Sequence, residues 1–399
     1  MTLGDGPAMS GAWSGRTVLS DLGIGPVINA HNDLTGLGGS LSTGPVLKAI
    51  AAANQAFIEV ESLSDAAGDA IAEMLGIEAA LVVPGAAAGT VLATAACITG
   101  GRNDLVARIP DTSGMACEFV VPADRRTFYD RSLEGAGGRI VLAGEAGSTT
   151  GSDIERSITE RTAGIFFYAP GAPGGVSFEQ VLAIAERHDL PLIVDAAEQV
   201  YPLENFSKYV RAGADFATYS GKFFGAGSMA GILTGTAKGI SRARKNSYLA
   251  FEGPNALAFG RHMKVGRGEI VAAYAALKQW LEMDHAERFR RYRRLLDNLR
   301  TRLEGFSFLS LTYADGSATP EPKPPDSLRI TFDRARSPKT LAEVVKELHQ
   351  GEPCIILRPH YQWIDPDRDS MDIRVSTLRD GQEMIIAERL AEILEDRDR

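Results

Sequence analysis

Leu192-Ile193-Val194-Asp195 and, further on, Thr218-Tyr219-Ser220-Gly221-Lys222 are the two stretches on which the reading of this chain turns. The first is a short apolar run closed by an acid. The second is a strand-like run that gives way to a Ser-Gly-Lys turn. Open α/β sheets bind ligands at the carboxyl ends of their parallel strands, which is where Asp195 falls. An ionised acid there, with a lysine on a neighbouring turn, is what pyridoxal phosphate (PLP) needs. The amine condenses with the cofactor aldehyde, and the carboxylate keeps the pyridine nitrogen protonated so that the ring can take up electrons. Taken singly, each residue has a plainer explanation, Asp195 as a helix cap and Lys222 as a surface lysine. The surrounding chain decides between them.

Outward from these stretches, short apolar runs alternate with helical periodicity. Ala79–Val83, Leu105–Ile109, Arg139–Leu142, Gly164–Tyr168 and Leu192–Val194 read as strands. Residues 44–58, 64–76, 86–98 and 177–188 read as helices. Strands that are apolar throughout, with helices between them, imply a mostly parallel sheet covered on both faces. Phe216–Tyr219 and Met229–Leu233 flank Lys222 like a hairpin. From Glu269 the texture changes: residues 269–304 can run as one long amphipathic helix. Short strands at 306–311, 328–332, 354–357 and 371–375 and helices at 338–349 and 380–395 then suggest a small α+β domain. The expected organisation is an N-terminal arm (1–25) with little structure of its own, a large domain (26–268), and a connecting helix with a small domain (269–399).

The 399 residues are too many for one ordinary core, which agrees with two domains. A net charge of −9 argues against a general nucleic-acid binder, which would show a basic stripe. No apolar run approaches the roughly 18 residues that would cross a bilayer, and no signal peptide is evident. Three cysteines without a CxxC spacing point to reduced thiols, hence to the cytoplasm and not to zinc or disulfides.

Three further features suit a phosphate or a carboxylate. In Val83-Pro84-Gly85-Ala86-Ala87-Ala88-Gly89-Thr90 a strand ends in a glycine turn and small residues open a helix, whose free N–H groups suit a phosphate; a tight packing turn is the plain alternative. Ser220, two residues before Lys222, can reach that phosphate, with the Tyr219 hydroxyl as the alternative. Arg261-His262-Met263-Lys264-Val265-Gly266-Arg267 gathers cations ahead of a helix, either as an anion site or as a solvated edge.

In order along the chain stand Ile28-Asn29-Ala30, Leu37-Gly38-Gly39-Ser40, Gly85-Ala86-Ala87-Ala88-Gly89, Pro110-Asp111-Thr112-Ser113-Gly114-Met115, Val194-Asp195-Ala196-Ala197 with Gln199, Ser220-Gly221-Lys222, and Met263-Lys264-Val265-Gly266. In this the chain resembles the selenocysteine-synthase-like group of fold-type-I PLP enzymes, closely over residues 26–290 and loosely beyond. The resemblance implies an aspartate-aminotransferase-like large domain with a mainly parallel seven-stranded sheet, a small C-terminal domain, and a homodimer or higher oligomer with sites between subunits. It makes Lys222 the Schiff-base lysine, Asp195 the pyridine-nitrogen partner, and Gly85, Ala86 and Ala87 the phosphate cup, with Arg261 and Lys264 as anion-binding positions. This sequence departs from the group where the substrate would lie. One residue is missing before Lys222, Ala226-Gly227-Ser228 replaces Gly-Pro-Gln, His31-Asn32-Asp33 replaces Thr-Gly-Thr, and Gly36 replaces an arginine.

His31 and Asn32 are therefore candidate substrate contacts, with His31 also a candidate for catalysis or for stacking on the cofactor. Asp111 either orients a substrate or belongs to a simple Asp-Thr-Ser-Gly turn. Arg374, with Arg358 as rival, is a candidate for the substrate carboxylate, since a planar fork matches it. The expected reaction begins when a substrate amine displaces Lys222, which then takes a proton from Cα. Elimination, transamination, racemisation and aldol chemistry all follow from that step; the resemblance favours a lyase. A silent binding or regulatory protein of the same fold is the alternative from another class.

Overall fold

A computed structural model describes residues 16–251, 257–314, 323–359 and 368–395. Its strands are, in chain order, β1 (Ile28–Asn29), β2 (Ala79–Val83), β3 (Glu118–Pro122), β4 (Arg139–Ala143), β5 (Thr162–Tyr168), β6 (Leu192–Asp195), β7 (Phe216–Ser220), β8 (Gly231–Gly235), β9 (Leu309–Ala314), β10 (Ser327–Phe332), β11 (Ile355–Ile356) and β12 (Ser370–Arg374). The chain divides into two compact units. One runs from Asp33 to His285; the other takes the chain up to Asn32 and most of it from Ala286 onward. Residues 26–32, expected with the large domain, thus fall in the other unit. The reason is backbone pairing: Ile28 and Asn29 of β1 lie parallel to Ile355 and Ile356 of β11.

The larger unit holds a seven-stranded sheet in the order β2-β8-β7-β6-β5-β3-β4. All neighbours in it are parallel except β8, which runs antiparallel to β2 and β7. Alternate side chains feed two cores, as a sheet buried on both faces requires. Val82, Val120, Phe167, Val194, Tyr219 and Ile232 face one core, and Leu81, Phe119, Phe166, Ile193, Phe216 and Leu233 the other. The second core is roofed by α1 (Ala86–Thr99), whose Ala93, Ala95 and Ala96 are fully buried. So small a surface lets the helix lie close. A Cβ at Gly89 would come within 3.0 Å of Thr218 Cγ2 on β7.

Two expectations from the sequence fail. Leu105–Ile109 is not a strand: Asn103–Val106 is a helical turn. The strand in that part of the sheet is β3, hidden in sequence by Glu118, a buried acid held by Arg161 at 3.2 Å and Arg139 at 3.6 Å. The long helix is two, α2 (Arg267–Glu282) and α3 (His285–Leu303). Met283 between them is extended, and the His285 ring turns back onto Trp280, its Nε2 2.9 Å from the Trp280 carbonyl. In the arm, Arg16–Asp21 form a short helix; residues 1–15 lie outside the described part.

The smaller unit is an antiparallel sheet β9-β10-β12 with the β1–β11 pair, backed by α3, α4 (Leu341–Gln350) and α5 (Gln382–Glu395). Leu295, Leu299, Leu328, Ile330, Val344 and Leu390 are among its fully buried residues. Thr340 and Glu343 close a reciprocal capping box at the start of α4. Among the described residues no helix is long and apolar enough to cross a membrane.

Candidate active site

Asp195 is the last residue of β6 and lies beside Thr218 of β7 in the parallel register. Its side chain is buried, 5% exposed, and Oδ1 accepts a hydrogen bond from the Ala197 N–H at 3.0 Å. Burial pushes its carboxyl up to about 6; the Ala197 N–H opposes this, Glu198 adds to the rise and the Thr218 hydroxyl works against it. Among the described residues no ion pair includes Asp195. A carboxylate brought this far out of water with no cation beside it is costly. A protonated pyridine nitrogen is the kind of group that would relieve it.

β7 continues directly into the turn that carries Lys222. The Ser220 N–H donates to the Ala197 carbonyl at 3.1 Å, tying that turn to the end of β6. Gly221 then passes so close to β8 that a Cβ there would meet the Ala230 oxygen at 2.5 Å. Lys222 is half-buried, with Nζ 3.4 Å from Thr35 Oγ1 and 4.9 Å from the centre of the Phe223 ring. Burial lowers its pKa below a lysine's usual range, while Glu198 and Asp33 pull the other way. The sequence held no sign of Thr35, which lies 187 residues away. Beside it, a Cβ at Gly39 would stand 3.0 Å from both Lys222 Cβ and Ser228 Cβ, so residues 35–40 lie directly on the lysine turn.

Gly85, at φ +92°, forms the entry to α1, and no side chain caps the helix there. The first turn holds no acid, so the N–H groups of Ala86, Ala87 and Ala88 and the helix dipole favour an anion. Gly231 on β8 faces this turn, where a Cβ would come within 2.7 Å of Gly85 Cα. The two hydroxyls that could reach a phosphate differ. Tyr219 is wholly buried on the opposite sheet face, its hydroxyl donating to the Asn205 carbonyl at 2.7 Å. Ser220 lies on the face of Asp195 and Thr218. The donor set therefore fits pyridoxal phosphate: an uncapped helix start and Ser220 for the phosphate, Lys222 for the aldehyde, Asp195 for the ring nitrogen.

The remaining candidates fall elsewhere. Arg261 belongs to a 3-10 turn ahead of α2 with its guanidinium 5.9 Å from the Phe251 ring centre, and Lys264 is exposed. Asp111 is exposed; its carboxylate accepts from the Ser113 N–H at 3.0 Å, the arrangement of a local turn. His31, Asn32 and Arg374 belong to the smaller unit. There the Asn29 side chain, not anticipated from sequence, accepts from the His31 N–H at 3.0 Å and donates to the Asn32 carbonyl at 2.8 Å, fixing that turn. Arg374 is buried against Asp326, its guanidinium 3.2 Å from the carboxylate.

Residues 143–235 match the DegT/DnrJ/EryC1/StrS aminotransferase family. A D-glucosaminate-6-phosphate ammonia lyase of Salmonella typhimurium is 29% identical over 386 residues, 95% of this chain and 98% of its own. A 5'-C-glycyluridine monooxygenase-decarboxylase of a Streptomyces species is 28% identical over 388 residues, 94% and 91% of the two chains. The solved structure of D-glucosaminate-6-phosphate ammonia-lyase superimposes with a TM-score of 0.78 at 27% identity, covering 95% of this chain and 98% of that one. L-seryl-tRNA(Sec) selenium transferase of Alkaliphilus metalliredigens is similar over a shorter stretch, 27% identical over 55% of this chain and 45% of its own.

Proposed function

We propose that this chain, which belongs with the selenocysteine-synthase-like group of fold-type-I pyridoxal-phosphate enzymes, is a lyase acting on an amino acid or amino sugar acid. The observation that carries the reading is the meeting, at the ends of β6 and β7, of a buried carboxylate with no cation among the described residues and a lysine of lowered basicity. When bound, the cofactor supplies an electron sink for negative charge developing at the substrate's Cα. Asp195 holds the proton on the ring nitrogen, and the N–H groups at Gly85–Ala87 with the Ser220 hydroxyl hold the phosphate. Lys222 Nζ, neutral more readily for being buried, takes the Cα proton and can hand it to a leaving group. Thr35 receives the amine when it is not covalently engaged.

His31 and Asn32 are the first substrate contacts to consider, because the Asn29 side chain fixes the turn that carries them. Arg374 would meet a substrate carboxylate only by sharing its guanidinium with Asp326, and Asp111 only by leaving Ser113. We place the enzyme in the cytoplasm on the strength of its three free cysteines. We also propose a homodimer in which Arg261 and Lys264 reach the phosphate of the neighbouring subunit. Mixing inactive Lys222→Ala and Arg261→Ala/Lys264→Ala subunits should then restore part of the activity; mixed oligomers without activity would exclude the shared site.

The test of function begins with the purified protein and PLP. A visible absorbance band should form and be fixed by borohydride onto Lys222, and a screen of amino acids and amino sugar acids should find one that perturbs the band and releases ammonia with a keto product. Oxygen uptake with carbon dioxide release would instead mark the oxidative decarboxylation named for the Streptomyces relative. Absence of any cofactor band would remove the reading altogether.

A further inference from the structure

Thr218 is fully buried in the centre of the sheet, and its Oγ1 has no hydrogen-bond partner of standard geometry. Buried hydroxyls left so are uncommon and ask for a reason. The strand register narrows the search. On one side Thr218 is paired with Leu233 of β8, which offers nothing to a hydroxyl; on the other it is paired with Asp195 of β6. Paired residues on neighbouring strands project to the same face. Above them lies α1, and there the threonine methyl is already engaged, for Gly89 packs so near that a Cβ would stand 3.0 Å from Thr218 Cγ2. With the methyl under the helix, the stiff β-branched side chain has little choice in where it sends its oxygen.

We infer that Thr218 is a positioning residue for Asp195, its hydroxyl donating to the carboxylate and holding it ionised and aimed at the ring nitrogen of the cofactor. The electrostatics agree in direction, since the Thr218 hydroxyl lowers the Asp195 pKa against the larger effect of burial. Together with the Ala197 N–H at 3.0 Å, this gives the carboxylate two fixed donors from the protein. Two donors leave it one well-defined direction in which to accept a third. The inference rests on the reading of Asp195 as the pyridine partner.

The experiment uses holoenzyme reconstituted with PLP carrying 15N in the ring, and compares the wild type with Thr218→Val and Thr218→Ser. The ring-nitrogen resonance of the wild type and of Thr218→Ser should sit at the protonated position. In Thr218→Val it should move toward the unprotonated one, with PLP binding about tenfold weaker, the worth of one hydrogen bond to a charged group. A Thr218→Val resonance and PLP affinity equal to the wild type's would overturn the inference. So would an equal loss in the serine variant, which keeps the hydroxyl, because the effect would then follow the shape of the side chain and not its hydrogen bond. Should Thr218→Val not fold, Thr218→Ala against Thr218→Ser poses the same question. If the wild type itself binds no PLP, the functional reading fails, a result distinct from all of these.

Discussion

Asp195 and Asp326 are both aspartates that folding has taken out of water, 5% and 2% exposed, and they have been treated in opposite ways. Asp326, in the smaller unit, faces Arg374 with oxygen and nitrogen 3.2 Å apart, so the charge of each is answered by the other. Asp195, at the end of β6, faces an N–H and a hydroxyl but, among the described residues, no cation, and burial pushes its carboxyl up to about 6. A paired buried acid holds a fold together. One left half-answered is held in readiness for something else, and strongly perturbed groups of that kind gather where chemistry is done.

The largest expected effect removes the partner chemistry beside Asp195. Lys222→Ala should leave turnover undetectable while circular dichroism and melting remain near wild type, and borohydride should no longer fix the cofactor to the chain. A fixed adduct in that variant would move the attachment point to another lysine. Asp195→Asn comes next: an amide cannot hold a pyridinium, and about 4 kcal/mol of transition-state stabilisation, roughly a thousandfold in kcat, should be lost. Near-normal kcat would take Asp195 out of the mechanism.

Asp326→Asn turns the comparison round. It leaves Arg374 buried without its counter-charge, and chemical denaturation should show a loss of about 3 kcal/mol in stability, while PLP uptake persists. Little change in stability would mean that the pair is not the structural one described.

The smallest effect is a pH dependence. The folded pKa of Asp195 stands at about 6 against 3.8 for the free side chain, so the folded protein keeps a proton that the unfolded chain gives up. Its contribution is therefore complete below the unfolded pKa and disappears as pH rises through about 6, a fall of about 3 kcal/mol at most. In PLP-free protein, urea titrations at about pH 4 and about pH 8 should show this decline in the wild type and its absence in Asp195→Asn. Parallel curves for the two would say that Asp195 is better solvated than its burial implies.

The two acids also mark how far sequence carries. Asp195 and Lys222 stand out in the sequence because a chemical task needs those residue types and a parallel strand has only one ligand-binding end. Most strands of the large sheet were legible for a related reason: burial on both faces leaves runs such as Leu81-Val82-Val83 apolar without interruption. β3 escaped because Glu118 breaks that pattern, and its counter-charges, Arg139 and Arg161, are near it only after folding. The break between α2 and α3 did leave a trace, Asp284-His285-Ala286-Glu287, the acid-x-x-Glu spacing of a helix start. Thr35 left none, and the motifs that hold Gly39 and Thr218 do not say what those two residues touch. Each matters through a neighbour on a distant part of the chain, and no local pattern records that. The same holds for Arg374, whose commitment to Asp326 only the paired strands reveal.

The pairing of Ile28 with Ile355 has a consequence for the order in which the protein comes into being. A chain leaves the ribosome N-terminus first, at some 5–20 residues per second. The segment from Asp33 to His285 emerges complete and can close its sheet while the C-terminal part is still being translated. β1 cannot: its partners, Ile355 and Ile356, follow only after that whole segment. For much of synthesis the first strand therefore waits with its backbone unpaired, and a nascent chain stopped before Ile355 would carry a folded larger unit and a loose leading end. Limited proteolysis of stalled chains should cut ahead of Asp33 until Ile356 has cleared the exit tunnel, and not after.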